Sequence, residues 1–251
     1  MAEEVKKAEL SIEEVLASTS IADVYQAAKQ LDGVAKKTHL VESPYFSDLC
    51  GNNVYLKPEN LQNTGSFKLR GAYNKISQLN ENERKRGVIT ASAGNHAQGV
   101  AFAARALNCK AVICMPATTP ILKVEATRAY GAEVVLYGDS FDDAYAKSLE
   151  LQKKKGYVYI HPFNDQKVLA GQGTTALEII DELKDVDAIL VPIGGGGFAS
   201  GVALATKAVN PNVKVIGVEP EGAPCMEKSF MEGHVTTLPA VDTVADGCAV
   251  K

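Results

Sequence analysis

The spacing of apolar and polar positions alternates regularly along the chain from residue 87 onward. Short runs rich in valine and isoleucine, typical of buried strands, alternate with longer segments whose apolar residues recur at helical spacing. This alternation predicts an α/β fold with parallel sheets that carry helices on both faces. The predicted strands are 87–92, 111–115, 132–137, 157–161, 188–193 and 213–219, and the predicted helices are 96–107, 120–130, 140–155, 167–183 and 198–208.

The part of the chain before residue 87 predicts fewer elements. We expect a helix over 12–30 and a short strand over 54–57 that Pro58 ends. A further helix begins near Lys68, with Ser66 as a suitable N-cap. Its apolar residues repeat at helical spacing, at Leu69, Ala72, Tyr73, Ile76 and Leu79.

Lys68 is the first candidate for chemistry. In the first turn of a helix, the positive end of the helix dipole favours a neutral amine over an ammonium. A neutral amine can attack an aldehyde, whereas an ammonium cannot. The alternative is an ordinary solvated side chain, which describes most of the 26 lysine and arginine residues. Two further motifs favour the reactive interpretation.

The second motif is Ser92-Ala93-Gly94-Asn95-His96, which follows a predicted strand and opens a predicted helix. Backbone N–H groups at a helix start bind anions, and the Ser92 hydroxyl and Asn95 amide add further donors. A carboxylate is the expected guest, and an ordinary strand–helix turn capped by serine or asparagine is the alternative. We interpret His96 as a residue that orients the loop rather than as a base. The other histidines show no metal-ligand spacing.

The third motif is a run of four glycines, 194–197, directly after a predicted strand. Without side chains, successive N–H groups can turn toward one anion, and the following helix adds its positive end. A phosphate monoester is the natural ligand. The spacing of Gly194, Gly196 and Ala199, with Glu219 at the end of the next strand, also matches the dinucleotide fingerprint, so a nicotinamide-dependent oxidoreductase is a competing hypothesis.

Composition narrows the class of protein. The chain has 251 residues, 46% of them hydrophobic, and a formal net charge of −4, which suits one large or two small globular domains rather than a nucleic-acid-binding protein. Its five cysteines form no Cys-x-x-Cys pair and indicate free thiols in a reducing compartment. The start has no signal-peptide pattern, and no apolar run approaches the ~20 residues that span a bilayer. We therefore expect a cytoplasmic protein with a small-molecule substrate and no nucleic-acid or membrane partner.

An amine nucleophile, a carboxylate loop and a phosphate cradle are the parts needed to hold pyridoxal phosphate together with an amino acid. The three motifs also resemble, in the same order, those of the fold type II pyridoxal-phosphate enzymes, and most of all the threonine ammonia-lyases (threonine dehydratases). The likeness runs from about residue 20 to the last residue. The matching blocks are Ser66-Phe67-Lys68-Leu69-Arg70-Gly71-Ala72, Ser92-Ala93-Gly94-Asn95-His96-Ala97-Gln98-Gly99-Val100-Ala101 and Pro192-Ile193-Gly194-Gly195-Gly196-Gly197.

The resemblance implies a role for each motif. Lys68 would bond covalently to the aldehyde of pyridoxal phosphate and later move a proton at the substrate Cα. Phe67 would pack against the pyridine ring, and Asn95 would hydrogen-bond its phenolic oxygen. The substrate carboxylate would be held by Ser92, Ala93, Gly94, Asn95 and His96, and the cofactor phosphate by Gly194, Gly195, Gly196 and Gly197.

The resemblance also implies an architecture like that of the tryptophan synthase β chain, with two open, mostly parallel twisted sheets. A large cofactor-binding domain would comprise 1–84 and 165–251, and a small inserted domain, 85–164, would carry the carboxylate loop. The implied reaction is α,β-elimination of L-threonine to 2-oxobutanoate and ammonia, or of L-serine to pyruvate and ammonia. Such an enzyme would act as a homo-oligomer in amino-acid metabolism, for example in isoleucine biosynthesis.

Three departures from the family pattern leave alternatives open. Serine racemases carry a serine at the position of Ala93; a methyl group cannot donate a proton, so we do not expect efficient racemisation. Cys225 stands where their metal site has a carboxylate, so we predict no metal. Family members continue beyond the position of Lys251, so we expect a C-terminally truncated chain. An inactive or regulatory truncated form is the main alternative, followed by a serine racemase-like enzyme and an NAD-dependent oxidoreductase.

Overall fold

The computed structural model describes residues 19–251. The helices are α1 (Ile21–Leu31), α2 (Pro44–Cys50), α3 (Lys68–Ser77), α4 (Glu81–Arg86), α5 (Asn95–Ala106), α6 (Ile121–Ala129), α7 (Phe141–Lys155), α8 (Gln166–Glu182), α9 (Gly197–Val209) and α10 (Cys225–Glu232). The strands are β1 (Val41–Glu42), β2 (Tyr55–Leu56), β3 (Val88–Ala91), β4 (Ala111–Met115), β5 (Glu133–Leu136), β6 (Val158–Tyr159), β7 (Ala188–Pro192) and β8 (Lys214–Val218). Two short 3₁₀ segments complete the set, Glu59–Leu61 and Asp246–Cys248.

Two parallel sheets organise the chain. The larger has the strand order β5-β4-β3-β6, and all of its pairings are parallel. Strands β7 and β8 form a second parallel pair, and β1 and β2 form a small antiparallel ribbon. The α/β class with parallel sheets and flanking helices is thus confirmed.

The four-stranded sheet is covered on both faces because alternate residues of its central strands point to opposite sides. Val88 of β3 and Ile113 of β4 belong to the core that α3, α5 and α6 form on one face. Ile89 and Val112 belong to the core on the opposite face, where Ala144 of α7 packs. The central strands are therefore buried throughout and, apart from Thr90, apolar, as expected of a parallel sheet covered on both sides.

A second core lies between α1, α8, α9 and the pair β7–β8, and includes Val24, Ala176, Ile189 and Val202. Each parallel sheet thus has its own core. The division into 1–84 with 165–251 and an inserted unit at 85–164 stays a prediction. Helix α3 packs into the core of the four-stranded sheet, although it lies in the first of those segments.

Glycines allow the helices that carry the predicted motifs to approach closely. A Cβ atom on Gly171 of α8 would lie 2.6 Å from the backbone oxygen of Arg70 in α3. A Cβ atom on Gly201 of α9 would lie 2.4 Å from the backbone oxygen of Leu169 in α8. Both distances are far below van der Waals contact, so only glycine fits at these two positions. Helix α8 can therefore pack closely against both α3 and α9 and brings them near each other. This packing places the start of α3 close to the start of α9.

A buried ion cluster anchors α3 as well. The guanidinium of Arg70, which is 1% exposed, contacts Glu59 at 2.8 Å and Glu178 at 2.6 Å. Burial alone would raise the pKa of the Glu59 carboxyl, but hydrogen bonding and charge from Arg70 outweigh it, so the net shift is downward. The cluster fixes α3 between the segment before it and α8.

Most predicted elements appear in the structure with ends shifted by one or two residues. For the helix predicted over 12–30, the described part begins at Ile21, where Ser20 and Asp23 form a capping box, and 12–18 lie outside the described residues. The prediction of Ser66 as N-cap is wrong. Helix α3 begins after Phe67, and the Ser66 hydroxyl only accepts a long hydrogen bond of 3.4 Å from the Lys68 N–H.

Three short helices, α2, α4 and α10, were not predicted. Helix α4 is charged along most of its length and has no buried residue, so hydrophobic spacing could not reveal it. Its start is marked instead by a capping box between Asn80 and Glu83. No helix among residues 19–251 is long and apolar enough to cross a membrane.

Candidate active site

Lys68 and the glycine run meet in one small cavity, of about 140 Å³. The two motifs are far apart in sequence, and the packing of α3, α8 and α9 brings them together. The walls of this cavity are mostly aromatic rings and bare backbone. Its lining includes Phe67, Lys68, Phe163, Gly194, Gly195, Gly196, Gly197, Phe198, Gly247 and Cys248.

The Lys68 amine is held within this apolar surrounding. Its Nζ atom donates a hydrogen bond of 2.9 Å to the backbone oxygen of Pro162 and lies 5.4 Å from the centroid of the Phe67 ring. Burial lowers the pKa of Lys68 to about 8, against a weaker opposing electrostatic effect of Cys248. The neutral amine expected from the sequence is thus favoured, with loss of water contact as the main cause.

The glycine run forms a turn that leads into α9. Gly196 is the N-cap of the helix with φ of +82°, a conformation that glycine adopts without strain. Within the described residues 19–251, none of the backbone N–H groups of 194–199 donates a hydrogen bond. Unpaired N–H groups at a helix start are a binding site for an anion.

Close packing also requires the glycines. A Cβ atom on Gly195 would lie 2.4 Å from the ring of Phe163, and one on Gly194 would lie 2.7 Å from the backbone oxygen of Gly247. Phe163 and Gly247 are therefore parts of the site that the sequence did not reveal. A phenylalanine or glycine outside a motif carries no chemical signal of its own.

The carboxylate loop lies at the carboxyl end of β3, as predicted. The Ser92 N–H donates a hydrogen bond of 3.1 Å to the backbone oxygen of Cys114 in the neighbouring strand, and the Ser92 hydroxyl accepts one of 3.3 Å from the Gly94 N–H. The Asn95 side chain is exposed at the start of α5. A Cβ atom on Gly99 of α5 would lie 3.0 Å from the Leu69 backbone nitrogen, so this helix packs directly against the start of α3.

His96 is buried, at 3% exposure, and its ring contacts the backbone. Its Nε2 atom lies 2.9 Å from the oxygen of Ile160, and because a carbonyl only accepts, Nε2 carries the hydrogen. Burial, together with the charge of Lys68, lowers the pKa of His96 to about 3, so the ring is neutral. Among the described residues its Nδ1 atom has no hydrogen-bond partner. The geometry supports a role in orienting the loop.

One short stretch, which we call the connecting segment (160–163), therefore contacts all three motifs. Its Ile160 oxygen accepts from His96, its Pro162 oxygen accepts from Lys68, and its Phe163 ring covers Gly195. The segment follows β6 of the larger sheet and precedes α8. It links the carboxylate loop to the cavity.

The residues around Glu219 and Cys225 take part in helix capping. The Glu219 carboxylate accepts hydrogen bonds from the N–H groups of Met226 at 3.0 Å and Glu227 at 2.8 Å, at the start of α10. The Cys225 Sγ atom lies 3.6 Å from a Glu219 oxygen. Within residues 19–251, no group of three or more His, Cys, Asp or Glu side chains is arranged to hold a metal ion.

The family model of the pyridoxal-phosphate dependent enzymes matches residues 31–251. The chain belongs to this family. Both the lysine motif and the glycine run lie within the match, so the expected fold type and cofactor class are confirmed. The dinucleotide interpretation of the glycine run finds no support.

The sequence is similar over most of its length to those of threonine ammonia-lyases and dehydratases. It is 51% identical to L-threonine ammonia-lyase of Thermotoga maritima, over 92% of this chain and 58% of the relative. It is 48% identical to the catabolic L-threonine dehydratase TdcB of Escherichia coli, over 92% of this chain and 70% of the relative. The chain thus spans little more than half the length of the Thermotoga protein.

Solved structures show the same fold. The processed form of threonine deaminase isoform 2 from Solanum lycopersicum superposes with a TM-score of 0.90 at 49% identity, covering 96% of this chain and 65% of that chain. Maize serine racemase also gives a TM-score of 0.90, at 36% identity, covering 92% of this chain and 70% of that chain.

The cavity has the features that pyridoxal phosphate requires. It joins an amine of lowered pKa to a run of unpaired N–H groups, which suit an aldehyde and a phosphate respectively. Gly247 also lines the cavity, and a Cβ atom there would meet nothing within 4 Å. The backbone of Gly247 is therefore open on its side-chain face, and it shares the cavity with Phe67 and Lys68.

Proposed function

We propose that this chain carries the catalytic site that converts L-threonine to 2-oxobutanoate and ammonia by α,β-elimination, and L-serine to pyruvate. One observation carries the proposal: the Lys68 amine and the unpaired N–H groups of the glycine turn line the same cavity. The substrate is supported by relatives named as threonine ammonia-lyase or dehydratase at 48–51% identity.

The cofactor site that we propose consists of the residues of the cavity and one neighbour. The N–H groups of the glycine turn would bind the phosphate, Lys68 would bond to the aldehyde, and Phe67 would pack against the ring. Asn95 would reach the phenolic oxygen from the start of α5. When bound, pyridoxal phosphate supplies a conjugated ring that withdraws electrons and makes the proton on the substrate Cα removable. The proposed phosphate ligands are Gly194, Gly195, Gly196 and Gly197.

Lys68 would act as the base. A lysine with a pKa of about 8 has a substantial neutral fraction near neutral pH, and its Nζ can take the Cα proton. Phe67, Phe163 and Phe198 line the cavity and exclude water, which lowers the pKa of the amine and so increases its neutral fraction. The substrate carboxylate would be bound by Ser92, by backbone N–H groups of the loop and by Asn95.

For His96 the structure supports a backbone contribution to the carboxylate site. Its ring is neutral, and its Nε2–H group is already bonded to Ile160, so the imidazole has no donor left for a carboxylate. Its own N–H and that of Ala93 donate no hydrogen bond within residues 19–251 and would suit an anion at the start of α5, whereas the Gly94 N–H already donates to the Ser92 hydroxyl.

Racemisation of serine is the second candidate, favoured by the similarity to maize serine racemase. Removal of a proton from one face and its return on the other requires a second proton donor opposite Lys68. Ala93 has only a methyl group, which cannot donate. We therefore expect elimination to dominate over formation of D-serine.

A direct assay tests the proposal. The purified protein is supplied with pyridoxal phosphate and L-threonine, and 2-oxobutanoate is measured as its hydrazone. Parallel samples with L-serine are assayed for pyruvate and for D-serine. We expect keto acid from the wild-type protein, none above background from Lys68→Ala, and wild-type rates from Lys153→Ala, which removes an exposed lysine at the end of α7.

The same preparation distinguishes the alternatives. Borohydride reduction followed by peptide mass spectrometry should place the cofactor on Lys68. Cofactor on Lys68 without keto acid would favour an inactive or regulatory form over the enzyme. D-serine exceeding pyruvate would favour the racemase.

We further propose that the protein works as a cytoplasmic homo-oligomer. Leu190, Ile216 and Val218 on the pair β7–β8 are 45–66% exposed, and exposed apolar residues of this kind favour association. Its product, 2-oxobutanoate, would enter amino-acid metabolism, with isoleucine biosynthesis as the proposed use. Light scattering of the purified protein gives the oligomeric state, and a monomer at all concentrations would contradict it.

A further inference from the structure

A stacked pair of rings joins the two motifs of the cavity. The rings of Phe67 and Phe198 have centroids 3.9 Å apart and an interplanar angle of 15°. Phe67 immediately precedes the reactive lysine, and Phe198 immediately follows the glycine turn. The pair therefore connects the start of α3 to the start of α9.

Neither helix start is held by a side-chain cap. Phe67 occupies the N-cap position of α3 and Gly196 that of α9, and neither makes a side-chain capping hydrogen bond. The backbone of Phe67 is already in the right-handed helical region, with φ −61° and ψ −16°, and it leads directly into the first turn of α3. Stacking on Phe198 therefore restrains the residue that immediately precedes Lys68.

Phe67 contacts both the stacked ring and the cavity. Phe198 covers one face, and Phe67 also lines the cavity. Gly247 lines the same cavity and leaves open space where a side chain would stand. Phe67, Phe198 and Gly247 would all border the bound cofactor, with Phe198 stacked on Phe67.

We propose that Phe198 is a positioning residue for pyridoxal phosphate: by stacking on Phe67 it fixes the distance between the Lys68 amine and the phosphate-binding turn. A single cofactor molecule must reach both groups at once, so its affinity depends on that distance. The inference rests on the cofactor site proposed above and is independent of the substrate.

Simple core packing is the competing explanation for Phe198. Its side chain is partly buried and packs against the core that contains Val202 and Ile189. A core role alone would lower the stability of the protein when the ring is replaced, and it would leave the cofactor affinity of the folded protein unchanged.

The test compares variants of the cofactor-free protein. Phe198→Leu keeps an apolar side chain but removes the stacked ring, whereas Phe198→Tyr keeps the ring. The control is Phe230→Leu, which removes a ring that is 79% exposed on α10. For each, the Kd of pyridoxal phosphate is measured by titration, after thermal unfolding has shown that the variant is folded.

An aromatic pair contributes about 0.5–1.5 kcal/mol beyond its buried area. Where this energy serves to hold the free protein in the geometry that binds the cofactor, its loss corresponds to about 2- to 13-fold in Kd. We expect Phe198→Leu to weaken binding by about that factor, and Phe198→Tyr and Phe230→Leu to stay within about twofold of wild type. A second readout is the labelling of the Lys68 amine as a function of pH. Water entering beside Phe67 should move its midpoint to higher pH in Phe198→Leu only.

Two results would overturn the proposal. One is a folded Phe198→Leu with wild-type Kd and an unchanged Lys68 midpoint. The other is a wild-type protein that does not bind pyridoxal phosphate, which removes the cofactor site as well. If Phe198→Leu does not fold, Phe198→Met is judged by the same two readouts. Expected shifts in Kd without keto acid from wild type would support the positioning role and refute only the elimination reaction.

Discussion

The state of the Lys68 amine gives the sharpest quantitative prediction. Its side chain loses water contact between Phe67 and the connecting segment, which lowers its pKa to about 8 from an ordinary value of 10.5. At pH 7, an amine of pKa 8 is about 9% neutral, whereas one of pKa 10.5 is about 0.03% neutral. The cofactor-free protein should therefore hold about 300 times more neutral amine at this position than an exposed lysine would.

Site-resolved chemical labelling measures this difference. The cofactor-free protein is treated briefly with a trace of amine-reactive reagent at pH values from 6 to 11, and the modified peptides are quantified by mass spectrometry. Only the neutral amine reacts, so labelling of Lys68 should rise with pH to a midpoint near 8. Partial burial slows the reaction at every pH and leaves the midpoint in place.

The unfolded protein supplies the reference. In denaturant, the same peptide should titrate near the ordinary lysine value, because the apolar surroundings are lost. A folded protein whose Lys68 midpoint also lies near 10.5 would refute the reasoning: the amine would then be solvated, and the cavity would not prepare it for attack on an aldehyde.

Two further predictions concern the packing that holds the site. Arg70→Met leaves the Glu59 and Glu178 carboxylates without their partner, which should cost about 3–5 kcal/mol and lower the melting temperature by about 6–20 °C. Arg128→Met, which breaks only an exposed pair, should cost less than about 1 kcal/mol, and equal losses in both variants would contradict the cluster's role. Gly201→Ala places a Cβ atom against the backbone of α8 and should destabilise the protein by about 1–3 kcal/mol while weakening cofactor binding. Ser200→Ala, on the exposed side of α9, is its matched control, and calorimetry with a cofactor titration tells the two apart.

The parts of the fold that hydrophobic spacing controls were predictable. Strands β3 and β4 are mostly apolar because both of their faces are buried, and this pattern predicts their positions in the sequence. Helix α4 was not predictable by the same means, because its stability comes from caps and solvated charges. Residue preference alone predicts Ser66 as the N-cap of α3, whereas in the structure Phe67 occupies that position.

The candidate site likewise contains residues that the sequence predicts and residues that it does not. Lys68, the carboxylate loop and the glycine turn stand out because their residue types have a chemistry of their own. Pro162, Phe163 and Phe198 could not be found so easily, because a proline carbonyl or a phenylalanine ring gains its role only from what it touches. The contacts of Pro162 with Lys68 and of Phe198 with Phe67 join residues more than ninety positions apart along the chain, and Phe163 lies 32 positions from Gly195. Local sequence patterns do not predict contacts over such separations.

The connecting segment has a consequence for how the site is assembled. It connects the larger sheet to α8 along the chain. It also contacts the carboxylate loop, the Lys68 amine and the glycine turn. A rotation of one sheet against the other would therefore move all three contacts together. Binding of the substrate carboxylate and positioning of the Lys68 amine would then be coupled. Substitutions within 160–163 should therefore affect both substrate binding and proton removal.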